Sequence, residues 1–114
     1  MRTPWETRET CPKNMREART RNTPATIEID AAFRQGLLGL DAYSHVLLLT
    51  WMHESRRDLI VQVPRHLDQP RGVFALRSPA RPNPIGVGVA RLLSVDIARG
   101  AVTIDASDCL DGTP

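Results

Sequence analysis

The stretch from Arg71 to Leu93, RGVFALRSPARPNPIGVGVARLL, constrains this chain more than any other. Two apolar runs with strand character, GVFAL and IGVGVARLL, flank the segment Arg77–Pro84, which holds three prolines and two arginines. Proline fixes φ near about −65° and has no N–H to donate, so Pro79, Pro82 and Pro84 are excluded from a regular sheet ladder. Each also biases the residue before it (Ser78, Arg81 or Asn83) toward extended backbone. The expectation is a stiff, non-repetitive loop with little conformational entropy left to lose, presenting Arg77, Ser78, Arg81 and Asn83 from a nearly fixed backbone. An arginine held in that way suits an anionic ligand, because its planar fork grips a carboxylate or phosphate through two hydrogen bonds. A proline-rich connection carrying solvated arginines looks the same locally, and the loop alone does not separate the two.

A chain of 114 residues, 41% hydrophobic and 25% charged, is expected to form one domain around one core. Its longest apolar run, VLLL within AYSHVLLLTWM, is far short of a membrane span, and no hydrophobic signal region opens the sequence; the expected location is cytoplasmic. Cys11 and Cys109 make neither a metal-type spacing nor a secreted disulfide framework, and His45, His53 and His66 are scattered, so no metal is expected. Net charge is only +2, yet fourteen of the fifteen basic residues are arginine. Arg2, Arg8, Lys13, Arg16, Arg19 and Arg21 against Glu6, Glu9 and Glu17 form a weak basic patch compatible with RNA phosphates.

Residues 1–25 read as irregular, interrupted by Pro4, Pro12 and Pro24. A short strand is expected over residues 25–29, then a short helix through AAFRQGLL with Asp30 as N-cap and Gly39 at its end. Residues 42–52, 59–63, 72–76, 85–95 and 101–106 read as strands, the last alternating Val102 and Ile104 against Thr103 and Asp105. Short strands between Pro, Gly and charged turns, with one short helix, predict a mostly-β fold, an antiparallel sheet curled into a barrel. Gly86 and Gly88 inside the long strand allow a bulge or a close approach to the backbone. GVGVAR lacks the strand–turn–helix context of a dinucleotide fingerprint, and composition and spacing imply no nucleotide cofactor.

The string RGVFALRSPxRPNPIG, followed by an apolar strand and LDGTP, resembles the TrmO family (YaeB or TsaA-like), S-adenosylmethionine-dependent tRNA methyltransferases. Two further segments in the family's order strengthen the resemblance: TPW followed by CPKN, and LDAYSHVLLLTWMH. The family's fold is an antiparallel β-barrel that binds the methyl donor in pieces, near a dimer interface. At matching positions the resemblance implies S-adenosylmethionine binding by Pro12, Lys13 and Asn14; by His53 and Glu54; by Arg77 and Val87; and by Leu110, Asp111, Gly112 and Thr113. Arg77 would pair with the methionyl carboxylate, Asp111 would accept from the amine or ribose, and Val87 would line the adenine. Arg81 and Asn83 are candidates for the RNA substrate. No catalytic residue is assigned, since methyl transfer depends mainly on holding nucleophile and methyl carbon in line. The implied acceptor is the exocyclic nitrogen of N6-threonylcarbamoyladenosine beside the tRNA anticodon, presented from the single-stranded loop to a homodimer.

Dull alternatives stand beside these roles: Asp111-Gly112 is a standard tight-turn pair, His53 a strand-end histidine, Ser44-His45 a structural polar pair, and Trp5 and Trp51 core residues rather than base-stacking platforms. The sequence also departs from the family. Glu54 stands where many members have glutamine, and the single domain over residues 1–114 lacks the family's first strand and the one that follows its DGTP motif. Unpaired edges would follow, so a fragment, a dimer that covers them and a compromised relative all fit. The alternatives are a non-catalytic barrel that binds S-adenosylmethionine or RNA, and a methyltransferase with a small-molecule acceptor.

Overall fold

In the computed structural model, which describes residues 1–114, antiparallel strands and one short α-helix make up the expected mostly-β fold. The strands are β1 (Ala25–Glu28), β2 (His45–Trp51), β3 (Val61–Gln62), β4 (Arg71–Gly72), β5 (Ile85–Asp96) and β6 (Ala101–Ile104); the helix is α1 (Met15–Thr20). Residues divide into two compact units, Met1–Leu48 with Gly88–Thr113, and Leu49–Val87 with Pro114.

The first unit is organised by β6. Its alternation puts Val102 and Ile104 inward, 3% and 0% exposed, and their β-branched side chains suit a pleated buried face. β6 pairs with β1 through Ala25↔Ile104 and Ile27↔Val102, and with β5 through Val95↔Val102, in a sheet of order β1-β6-β5-β2. Ala25, Leu37, Ala90, Val102 and Ile104 form the core, with Met15, Val46, Leu48 and Leu92 packed on it. The irregularity in β5 falls between Leu92 and Ser94 rather than at its glycines. Gly86 instead marks a close approach within the second unit: a Cβ there would lie 2.6 Å from the Thr50 hydroxyl. The β1 edge is partly covered, since Arg2 and Thr26 exchange backbone hydrogen bonds of 2.7 and 2.9 Å.

Helix α1 corrects the expectation that residues 1–25 are irregular. Asn14 is its N-cap, accepting from the Glu17 amide at 2.9 Å, while the Glu17 carboxylate accepts from the Lys13 amide at 3.1 Å and pairs with Arg21 at 2.6 Å. Those caps, with Ala18 buried, hold six residues that are too few to be helical alone. The helix expected after Asp30 is a 3-10 helix, Ala31–Leu37, without a side-chain cap from Asp30; only Leu37 is buried, so the segment is anchored at its end. Another 3-10 turn, Leu40–Ala42, delays the start of β2 to His45.

In the second unit the strands expected over residues 59–63 and 72–76 shrink to the two-residue pair β3–β4, with Val61↔Gly72 and Gln62↔Arg71. The chain then tightens into a 3-10 turn, Val73–Ala75. Pro64 and Pro70 lie just outside the pair on its two sides and cannot extend the ladder as donors. Residues 77–84 carry no regular structure, as the prolines dictate.

Candidate functional site

Arg81 is the hub of the proline loop. Its Nε donates to the Ser78 carbonyl at 2.9 Å, and its Nη2 donates to the carbonyls of Val73, at 2.6 Å, and Leu76. Side by side with these, Gln62 donates to Ala80, and Ser78 Oγ accepts from the Ala80 amide at 3.3 Å. The residue expected to face RNA therefore also locks its own loop, and it fixes the 3-10 turn that precedes it. Pro84 is fully buried beneath. Beside the loop is a cleft of about 450 Å³, lined by Ile60, Gly72, Val73, Phe74, Arg81, Pro82, Asn83, Ile85 and Val87. That size lies within the range of small-ligand sites.

Arg77 is exposed, and only its Nη2 is used, donating to the Val87 carbonyl at 3.3 Å. Nε and Nη1 remain for a ligand carboxylate. Val87 is 49% exposed and open to an apolar ligand surface. His53 and Glu54 follow β2, with His53 Nε2 and Glu54 Oε1 4.0 Å apart, and the His53 amide is tied to the Trp51 carbonyl. His53, Glu54, Arg77, Arg81, Asn83 and Val87 all belong to the second unit.

The first unit holds the other two sets, Pro12–Asn14 and Leu110–Thr113. Pro12 is buried, and Asn14 is committed to capping α1. Residues 110–113 form the tight turn that Asp-Gly predicts: the Thr113 amide and hydroxyl both donate to the Leu110 carbonyl, at 3.2 and 2.8 Å, and Gly112 has φ 77°, where other residues are strained. Asp111 accepts from the Thr3 amide at 2.8 Å and faces Arg2 at 3.5 Å; that amide first, and then Arg2, hold its carboxyl below the usual range. It is an ionised acceptor in place.

Three of the N-terminal arginines, Arg2, Arg19 and Arg21, are engaged internally. Arg2 pairs with Glu28, Arg19 with Asp105 and the Val89 carbonyl, and Arg21 with Glu17 and the Thr10 carbonyl while lying over the Trp5 ring at 4.9 Å. Trp5 donates its indole N–H to the Ser107 carbonyl at 2.8 Å. Residues 49–87 carry six further arginines against Glu54, Asp58 and Asp68, and Asp58 is bound by Arg56 at 2.6 Å. Ser44 and His45 form the structural pair expected, 2.9 Å apart.

Cys11, next to Pro12, donates its thiol to the Asp108 carbonyl at 3.3 Å. Burial pushes the thiol up to about 11, with Cys109 and Asp108 adding to the effect. Burial also raises the neighbouring Asp108 carboxyl. Near pH 8, alkylation of Cys11 by iodoacetamide is therefore expected to run on the order of a hundredfold slower than that of an unperturbed cysteine. Mass-spectrometric timing of the Cys11 peptide checks this, and labelling at the rate of glutathione would show the thiol is not protected.

Ile60, Gly72, Val73, Phe74, Pro82 and Ile85 are lining residues that sequence reasoning did not single out, and Phe74 is the most exposed of them. In a strand its side chain would alternate with its neighbours, whereas the 3-10 turn leaves it wholly exposed.

The antiparallel sheet, the arginine-locked proline loop and the Leu110–Thr113 turn define an antiparallel β domain rather than a doubly wound nucleotide-binding one. A crystal structure of TrmO has the same fold, with a TM-score of 0.76 at 32% identity, covering 99% of this chain and 49% of that one. The family model for the tRNA-methyltransferase O N-terminal domain matches residues 1–114, and the chain belongs to that family. It is 37% identical over 114 residues to a probable S-adenosyl-L-methionine-binding protein, VirR, of Rhizobium radiobacter, covering all of this chain and 62% of the relative. Over 81 residues it is 42% identical to a tRNA (adenine(37)-N6)-methyltransferase of Mus musculus, covering 68% of this chain and 18% of that protein. The chain thus spans less than two thirds of each of these three.

Proposed function

We propose that the chain binds S-adenosylmethionine and transfers its methyl group to the exocyclic N6 of an adenosine in tRNA, the acceptor being N6-threonylcarbamoyladenosine beside the anticodon. The observation that carries the proposal is the family match over all 114 residues, and the mouse relative's name supports N6 of adenosine 37 as the acceptor. Groups in each of the two units support this reading. Arg77 keeps two uncommitted guanidinium nitrogens for the methionyl carboxylate, Val87 offers half-exposed apolar surface to the adenine, and Asp111 is an ionised acceptor. Pro12, Lys13, Asn14, His53, Glu54, Leu110, Gly112 and Thr113 complete the assigned contacts, Pro12, Gly112 and Thr113 through backbone and shape. The bound donor supplies an electrophilic methyl on a sulfonium, so the chain's part is to hold donor and acceptor in line. Leu47 and Leu49, 64% and 68% exposed on the outward side of β2, support a homodimer. A tRNA substrate implies the cytoplasm, and no helix is long and apolar enough to cross a membrane.

Calorimetric titration with S-adenosylmethionine is expected to show binding that weakens about 10- to 150-fold in Arg77→Ala, the effect of one charge-assisted contact. Nucleoside analysis of modified tRNA after incubation should then show the methylated base. A folded wild-type chain that binds no donor would overturn the proposal. The VirR name, a binding protein rather than a methyltransferase, favours one second reading, a donor-binding module without turnover. Donor binding with no methylated tRNA would select it.

A further inference from the structure

The cleft beside the proline loop is not among the donor contacts, apart from Val87 at its margin. Its walls are apolar and open: Phe74 is wholly exposed, Ile60 is 66% exposed, and Ile85 and Val87 are 40% and 49% exposed. Such side chains are costly to leave in water without a ligand to cover them. Of the two polar side chains on the lining, Arg81 is bound to three carbonyls through Nε and Nη2, while the Asn83 amide presents a donor and an acceptor side by side; the Asn83 backbone carbonyl is taken by the Ile85 amide. Around the cleft, three guanidinium groups are fastened to carbonyls of its lining: Arg57 to Pro82 at 3.1 Å, Arg77 to Val87 at 3.3 Å, and Arg81 to Val73 at 2.6 Å. No carboxylate lines it. A flat apolar wall, one amide and a positive rim describe a seat for an aromatic ring borne on an anionic backbone.

We propose that this cleft takes an unpaired nucleobase of single-stranded RNA, with Phe74 stacking on the face of the base, Asn83 bonding its edge, and Arg57 facing a flanking phosphate. The inference rests on the tRNA reading above and adds to it the place where the acceptor strand lies. Stacking requires a base whose face is open, which a duplex does not offer, so the site selects single strands. Arg81 acts as a positioning residue: by gathering the carbonyls of Val73, Leu76 and Ser78 it sets the turn that holds Phe74 out.

The test is fluorescence anisotropy of a labelled oligoribonucleotide of about seven nucleotides, single-stranded and then annealed to its complement. Phe74→Ala is expected to weaken single-strand binding about tenfold while leaving duplex binding and the melting temperature unchanged. Phe74→Trp is expected to keep the affinity, and its emission, above that of Trp5 and Trp51, to be quenched on adding the single strand. Unchanged single-strand affinity in Phe74→Ala overturns the inference. So does a change in sedimentation of that variant without a change in RNA binding, which would make a second copy of the chain the occupant. Donor titrations on the same samples separate the two proposals. Donor binding with Phe74-independent RNA binding sinks only the inference, and Phe74-dependent RNA binding without donor binding sinks only the methyltransferase.

Discussion

Ile104→Ala is expected to lower stability by about 2–5 kcal/mol, a fall in melting temperature of roughly 10–20 °C for a chain of this size. Ile104 is wholly buried and sits opposite Ala25 on one side and Leu92 on the other, so its side chain fills the space where three strands meet. Two of its core neighbours, Ala25 and Ala90, are too small to swing into the void, and the paired strands hold the backbone apart. The cost should therefore fall toward the upper end, where a cavity persists rather than closes. Thermal unfolding followed by circular dichroism measures it. A fall below about 3 °C would mean that the core collapses around the smaller residue or that Ile104 is not its centre.

Gly100→Ala is expected to cost about 2–4 kcal/mol, for two separable reasons. Gly100 has φ 69°, a left-handed conformation that opposes any Cβ. A Cβ there would also stand 2.5 Å from both the Ile29 carbonyl and Arg34 Nε. Those are working atoms: Arg34 Nε donates to the Ile29 carbonyl at 3.4 Å, while Arg34 Nη1 donates to the Ala98 carbonyl at 3.0 Å and the Ile29 amide to the Gly100 carbonyl at 2.7 Å. The alanine must displace Arg34 and crowd the end of β1. Gly39→Ala is the control, since φ there is 80° but nothing lies within 4 Å of its Cβ. Denaturant unfolding should find Gly39→Ala cheaper by at least about 1 kcal/mol. Equal costs would leave only the backbone term and refute the crowding.

The elements legible in the sequence were those whose cause is local. Alternation in Val102 and Ile104 gave β6, the long apolar run gave β5, and three prolines gave an irregular segment at 77–84. Asp-Gly gave the turn at 110–113. Helix α1 had a local signal that the prolines outweighed, an asparagine followed three residues later by glutamate. The strand pattern over GVFAL was overridden from a distance, because Arg81 draws in the carbonyls of Val73 and Leu76 and so makes a 3-10 turn of residues that alternate like a strand. Of the candidate site, residue identities were legible through the motif, and the internal engagements were not. That Arg2 faces Asp111, or that Arg19 pairs with Asp105 and the Val89 carbonyl, depends on partners far away in sequence. Residues 49–87 carry six further arginines.

The two tryptophans divide between the units, and each has an arginine over its ring: Arg21 over Trp5 at 4.9 Å and Arg57 over Trp51 at 5.4 Å. The protein is thereby labelled twice from within. A cation against the indole face alters its emission, so each chromophore reports on the integrity of one packed arginine and, through it, of one unit. Trp5→Phe leaves a chain that shines only from the cleft-bearing half, and Trp51→Phe one that shines only from the half built around β6. Stopped-flow traces on that pair would say whether the two halves form together or in turn, without a dye, a tag or a cysteine.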